Sequence, residues 1–430
     1  MNTAKLHPAD AIVEIMNRLY QNAMTTTSGG NLSILDDEGN LWISPSSVDK
    51  CNLTRADIMM VKPDGTIVGP HKPSSEYPFH QAIYRSRPDI RAVLHAHPPA
   101  LVAFSVVRRL PDTTLLPGAE ELCGKLSMAK YAVPGSVELG GYIAEEFAAG
   151  ADSVMLENHG VVVGAPDLFR AFMMFETLDY CARIEINASA LGAARIPVSE
   201  KHRALYALEA APSLPEIDAR TVGVDEQAKR EEICRMLARA YKNQLVTSAY
   251  GTYAARLDDG GFLITPHDCD RLYLEPEQLV YVKDGRCTVN GMPSHAVGLV
   301  EKIFAAHPEF NAVMIAHAPY ISAFAVTDAG FDARLIPESY ILLKHAPRYP
   351  YGANFLQPDM LARAITGKEP VCIVENDCVI TAGTSILNAF DRLEVMEYSA
   401  RAIVFSMMMH EKLVKIGDED IHDIEVAFHL

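Results

Sequence analysis

Basic residues are scarce in this chain: 38 lysines and arginines stand against 55 aspartates and glutamates, a formal net charge of −17. Polyanions are held by lysine and arginine, so nucleic acid or an anionic membrane is a poor main partner, and a small-molecule substrate fits better. No apolar run reaches the length of about 20 residues that a membrane-spanning helix needs. Met1 to Pro8 carries no uninterrupted apolar stretch of the secretory kind, which makes a cytoplasmic location the expectation. The eight cysteines, from Cys51 to Cys378, never form Cys-x-x-Cys and read as reduced, buried thiols. No Gly-x-x-x-x-Gly-Lys loop occurs, so a bound phosphate needs another kind of cradle.

What the chain does have is a long repeat. Ala92-Val93-Leu94-His95-Ala96-His97-Pro98-Pro99 returns as Ala312-Val313-Met314-Ile315-Ala316-His317-Ala318-Pro319. Leu41–Pro45 pairs likewise with Phe262–Pro266, Pro73-Ser74 with Pro293-Ser294, and Glu157-Asn158 with Glu375-Asn376. A period of that size is a whole domain rather than a solenoid unit. With 430 residues and 49% hydrophobic content, two cores are expected: a domain at 1–205, a linker at 206–223 and a second domain at 224–430. Each copy opens with an amphipathic helix (Ala9 to Gln21, Asp225 to Asn243), followed by β-rich runs between Gly, Pro and Asp turns and by later helices such as Leu168 to Leu191. That mixture reads as α/β, a central sheet flanked by helices. The last segment, Gly417 to Leu430, reads equally as a docking tail or as a disordered one.

His95-Ala96-His97 closes an apolar strand, and a two-residue period sends both imidazoles to one face, where two nitrogens can grip a metal. A His-x-His pair also occurs as ordinary strand residues. Its surroundings are more specific: Ser74-Ser75-Glu76 upstream and Glu157-Asn158-His159-Gly160 downstream add a carboxylate and a third histidine. Glu76 also suits the start of a helix, where a carboxylate favours the dipole. Ser28–Ser33, Ser44–Ser47 and Ser74-Ser75 supply hydroxyls, an amide and close-approach backbone N–H groups, though Gly, Asn, Ser and Pro dominate ordinary turns too.

Taken in order, Pro73-Ser74-Ser75-Glu76-(x)3-His80, Arg87 to Pro98 and Glu157-Asn158-His159-Gly160 resemble the class II aldolase and adducin-head family. The resemblance implies two tandem α/β/α domains, each with a mainly antiparallel sheet. It implies a divalent metal, Zn2+ or else Mn2+, Co2+ or Fe2+, on His95, His97, His159 and Glu76. It also implies phosphate binding by Gly30, Asn31, Ser46, Ser47, Ser74 and Ser75, and proton transfer by Glu76. The implied reaction is aldol cleavage of a phosphorylated ketose through a metal-stabilised enediolate. Dehydration, 4-epimerisation or decarboxylation of a sugar phosphate or sugar acid shares that chemistry, and a non-catalytic, adducin-like scaffold shares the fold.

The second acid/base residue separates these reactions. The segment Leu115–Gly124 lacks the tyrosine of fuculose-phosphate aldolases. Its Glu120 resembles the glutamate of methylthioribulose-phosphate dehydratases, or is an exposed acid on a helix. The repeat sets Tyr340 opposite Glu120, as a second candidate or a packed aromatic. In the second copy Ile315, Ala296 and Asp377 replace His95, Glu76 and His159, which removes the metal site and leaves support of the neighbouring active site as its role. Family members form four-domain rings, so a two-domain chain is expected to form a homodimer that mimics one.

Overall fold

Strands built from the short apolar runs assemble into two sheets of identical topology. The structure, a computed structural model, describes residues 6–206, 213–217, 220–288 and 291–430. It divides into two compact units: residues up to 113 together with 118–182, and residues 114–117 together with 183–430. The first contains β1 (Asn31–Leu35), β2 (Leu41–Ile43), β3 (Met59–Val61), β4 (Ile67–Val68), β5 (Ala92–Ala96), β6 (Leu126–Ala129), β7 (Ser153–Leu156) and β8 (Val161–Ala165), in the order β4-β3-β2-β1-β5-β8-β7-β6. The second contains β9 (Thr252–Arg256), β10 (Phe262–Ile264), β11 (Val280–Lys283), β12 (Arg286–Cys287), β13 (Ala312–Ala316), β14 (Arg348–Tyr349), β15 (Val371–Val374) and β16 (Val379–Gly383), in the order β12-β11-β10-β9-β13-β16-β15-β14. Only the edge pairs β6 with β7 and β14 with β15 run parallel, so both sheets are mainly antiparallel, as expected.

Helices flank each sheet. Tyr77–Ser86 and Val137–Ala148 close Phe79, Ile83, Leu139, Ile143 and Phe147 onto Val93, Val154, Leu156 and Val162. In the second unit Val297–Ala306 and Pro358–Ala364 set Val300, Ile303, Leu361 and Ala362 against Val282, Val313 and Ile380. The leading helices run Pro8–Gln21 and Val224–Lys242, and the long helix after β8 runs Leu168–Ala190, each within a residue of the expected bounds. Between positions 206 and 223, residues 207–212 and 218–219 lie outside the described residues; Ile217 donates its amide to Cys287 O at the sheet edge. Gly417 to Leu430 forms a helix, Asp418–Phe428, with Ile421 buried, Asp418 paired to Arg334 and Glu425 accepting from the Tyr340 hydroxyl. Among the described residues no helix is long and apolar enough to cross a membrane.

Strand register equates positions between the copies directly. Asn31 lies opposite His95 as Thr252 lies opposite Ile315. Left-handed kinks match as well: Ser47 (φ 57°) with Asp268 (φ 50°), and Asn158 (φ 54°) with Asn376 (φ 51°). At Ser47 and Asp268 a similar left-handed conformation persists although the side chain has diverged.

Phe147 is fully buried in the first core, so Phe147→Ala is expected to cost about 3–5 kcal/mol. Val426, 61% exposed, should change stability by less than about 0.5 kcal/mol when cut to alanine; urea unfolding of both variants checks the contrast.

Candidate active site

The centre of the first sheet places three histidines together. His95 sits on β5 between β1 and β8, and His97 follows one strand period later. His159 lies on the turn joining β7 to β8, which Leu156 N closes by donating to Gly160 O at 2.8 Å and which the left-handed Asn158 bends. One ligand atom from each of His95, His97 and His159 lies within 4.8 Å of the others. A β-carbon on Gly160 would stand 2.6 Å from both Ala96 O and His97 Cδ2, so only glycine lets this turn approach the strand.

Tautomers follow from the partners. His95 Nδ1–H donates to Val161 O at 2.9 Å, which leaves the Nε2 lone pair facing His97 Nε2 at 3.0 Å. Such a carbonyl contact is what fixes the ring of a metal-bound histidine. Burial, with the adjacent His159, pushes His95 down to about 3; burial, with His95 and His159, does the same to His97. Burial also lowers His159, against the upward pull of Glu76. The imidazoles are therefore neutral at pH 7, with lone pairs available. His159 Nδ1 and Glu76 Oε1 are buried with no hydrogen-bond partner, a costly state for polar atoms. The donor set fits a divalent cation, and three imidazoles suit zinc or a similar metal.

Glu76 ends a directed hydrogen-bond chain. Asn31 Nδ2 donates to Glu76 Oε2 at 2.8 Å, so Asn31 Oδ1 is left to accept from His80 Nε2–H at 2.5 Å. His80 Nδ1 must then accept from Ser33 Oγ–H, and Ser33 Oγ from Tyr84 O–H, both at 2.7 Å. Burial, with His95 nearby, holds His80 well below its ordinary pKa, consistent with the neutral tautomer that this chain requires. Glu76 Oε2 is thereby held 3.4 Å from His95 Nε2. Asn31 is thus a positioning residue for Glu76, with one amide hydrogen left over for a ligand.

The three serine segments are stitched into one frame. Ser44 N donates to Leu32 O, Ser74 N to Ser44 O, and Ser46 N to Lys72 O, while Pro45 bridges to Pro73. Gly30, Asn31 and Ser74 are buried in its floor, and Ser47 and Ser75 stand exposed at its rim. Glu120 is half-buried in the first turn of the helix Pro117–Cys123. Tyr340 belongs to the other compact unit, where its hydroxyl donates to Glu425 at 2.7 Å.

The profile of the class II aldolase and adducin N-terminal domain family matches residues 10–186 and again 231–404. The chain belongs to this family, in two tandem copies. Among its curated relatives, the L-fuculose phosphate aldolase of Methanococcus maripaludis is 34% identical over 174 residues, 40% of this chain and 92% of that protein. The 3-oxo-tetronate 4-phosphate decarboxylase of Escherichia coli is 31% identical over 41% of this chain and 84% of its own length. A solved L-fuculose 1-phosphate aldolase is 29% identical, with a TM-score of 0.42, over 47% of this chain and 95% of that one.

The second aldolase-like copy keeps His317, whose Nε2 lies 3.5 Å from Asp377 Oδ1, while Asp377 accepts from Asn354. Tyr250, at the position of Gly29, lays its ring 5.1 Å from that of His317. Sequence reasoning missed Lys50. It is 3% exposed, its ammonium donates to Pro45 O under the serine frame, and burial pushes it down to about 8. The signal was available, since Arg271 recurs at the matching position of the second copy.

A pH dependence follows. His95 and His97 resist protonation down to about 3 in the folded state, whereas unfolded histidine protonates near its ordinary value of 6.5. The unfolded chain therefore binds more protons across that window, and stability rises with pH. Metal-free protein should be fully stable above pH 6.5 and lose stability as pH falls below it. In thermal melts between pH 7 and 5, His95→Gln with His97→Gln should flatten the slope; an unchanged slope counts against neutral buried imidazoles.

Proposed function

We propose that residues 1–205 form a metal-dependent carbon–carbon lyase acting on a small phosphorylated ketose. Residues 224–430 would form the supporting copy, after a linker at 206–223. The observation that carries this reading is the neutral histidine cluster beside a carboxylate held in place by a buried, directed hydrogen-bond chain. In it, His95, His97 and His159 hold Zn2+ or another divalent ion, with Glu76 as a further ligand or proton carrier. Such an ion supplies Lewis-acid polarisation of neighbouring substrate oxygens.

The protein's own groups do the rest. Gly30, Asn31, Ser46, Ser47, Ser74 and Ser75 clamp the phosphate through backbone N–H groups and hydroxyls, and Lys50 beneath them offsets its charge. Glu76, its Oε2 already fixed by Asn31, uses the unpartnered Oε1 to take and return a proton. In aldol cleavage the carbon–carbon bond breaks, an aldehyde leaves, and a proton returns to the carbon of the retained fragment, releasing dihydroxyacetone phosphate. Glu120 or Tyr340 serves as the second acid/base group. The working assembly is a cytoplasmic homodimer that mimics a four-domain ring.

A second reading, decarboxylation of a phosphorylated sugar acid, is favoured by the likeness to the E. coli decarboxylase. Dehydration and 4-epimerisation remain the family alternatives on the same residues.

Incubation of metal-replete protein with fuculose-, rhamnulose-, ribulose- and methylthioribulose-phosphates, following dihydroxyacetone phosphate alongside total product, tests the reaction. Release of dihydroxyacetone phosphate is expected; turnover to another product without it overturns the aldolase reading. Glu76→Gln should lower kcat about 100-fold or more with metal retained. Lys50→Met should raise KM about ten-fold with kcat little changed, and a loss confined to kcat would remove Lys50 from the clamp.

A further inference from the structure

Two surfaces of this chain lie open although their repeats are covered. The helix Leu168–Ala190 of the first copy matches Ile386–Met408 of the second, and left-handed Gly192 (φ 64°) and His410 (φ 57°) follow them at matching positions. The end of the first helix packs on the second copy, since residues 114–117 and those from 183 onward belong to the compact unit of that copy. There Arg183 donates to Gln244 Oε1 at 2.7 Å and Asn187 to Pro319 O at 3.1 Å. After the helix, Arg195 bridges Thr327 in antiparallel fashion: Ile196 N donates to Val326 O and Asp328 N to Ala194 O, both at 2.9 Å. Asn376 Nδ2 closes the junction on Leu115 O at 3.0 Å and Ile196 O at 3.3 Å.

The matching groups elsewhere in the repeat have no such cover. Val326 and Thr327 are 0% exposed, but Val106 and Val107, at their positions in the first copy, are 54% and 62% exposed. Asn376 is fully buried, whereas Asn158, with the same left-handed backbone, faces solvent. Arg108, matching Asp328, turns its N–H back to Ser105 O in a left-handed conformation (φ 53°). On the other surface, Tyr180 is 4% exposed and Tyr398, the same residue one repeat later, is 65% exposed. Phe405 and Met409 stand open where Asn187 and Leu191 are buried, and Val414, matching Ile196, is 83% exposed. Beside Val414 a cleft of about 250 Å³ opens between Leu335, Ile336, Met409 and Leu413, at the repeat of the floor that receives Asn376.

Clustered exposed apolar groups mark an interaction site, and here the repeat itself shows the shape of what covers them. Each open surface is the repeat of one half of a junction that already fits, so the two are complementary to each other. We propose that a second copy of this chain supplies the cover: residues 398–414 of one chain dock on the first copy of its partner as residues 183–196 dock on the second copy within a chain. Val414 N donates to the partner's Val106 O, the partner's Asn158 reaches Leu335 O and Val414 O, and Tyr398, Phe405 and Met409 become buried. The partner's Arg108, opposite Lys412 in this register, already has a carboxylate beside it, since Arg108 lies 3.6 Å from Glu157. A two-fold axis repeats the junction, so two chains close a ring with neither surface left open. The inference rests on the homodimer reading above and is independent of the reaction assigned to the first copy. Because Asn158 adjoins His159, each chain's second copy abuts the metal turn of the other chain.

Sedimentation velocity of the full-length protein at micromolar concentration tests it, with Val414→Asp and Val106→Asp on the two sides of the junction and Val414→Asp with Val106→Lys as a charge-paired double variant. Both positions are exposed within the chain, so each variant should fold, which far-UV circular dichroism checks. Wild type should be a dimer. Either aspartate buries an unpaired charge in the junction and should raise the dimer Kd about 100-fold or more, giving monomers. The double variant should recover the dimer. A wild-type dimer that both single variants retain overturns this junction and leaves the homodimer reading standing. Monomeric single variants that the charge pair does not recover overturn the pairing of Val414 with the partner's Val106. A monomeric wild type overturns both the junction and the homodimer.

Discussion

The polar centre of the protein depends on the antiparallel pairing that holds β5 between β1 and β8. That pairing puts Asn31 opposite His95 and brings the Val161 carbonyl to His95 Nδ1, which fixes the ring and its tautomer. It also aligns Ser33 on β1 with the helix that carries Glu76, His80 and Tyr84. A slip of one residue would turn His95 and its neighbours to the opposite face of the sheet and break both relationships at once. The glycine at position 160 and the left-handed Asn158 then let the β7–β8 turn bring His159 against the strand end.

Neutral imidazoles buried beside a carboxylate are a poor bargain for stability. Each loses hydration, and His159 Nδ1 and Glu76 Oε1 are left without partners. The first copy tolerates this because two helices close apolar faces over the sheet and because the chain Tyr84–Ser33–His80–Asn31 runs in one direction to Glu76 Oε2. The second copy shows the alternative outcome. With isoleucine and alanine at two ligand positions and a tyrosine ring against His317, the same strand and loop framework carries a less metal-like interior.

Much of this was legible in the residues because it is local or repeated. The period of β5 announced the histidine pair, and the recurrence of that run announced the duplication. Helix bounds fell within a residue because Pro8, Gly223 and Leu168 mark the starts. The directed chain was not legible, since it joins side chains from β1 and a helix some 45 to 51 residues apart in sequence. Lys50 was missed because an isolated lysine reads as solvated surface, and only its match with Arg271 marks it as buried. Asn31, read as a phosphate donor, is first the residue that orients Glu76. Gly417 to Leu430 left two readings open, because its many acids suit solvent as well as Arg334.

Metal analysis of the purified full-length protein bears most directly on the central claim that a single working histidine cluster exists per chain. Wild type should carry about one divalent ion per chain, and His97→Ala none, with folding retained. An unchanged metal content in His97→Ala, or wild type that takes up no divalent metal when it is offered, would contradict it.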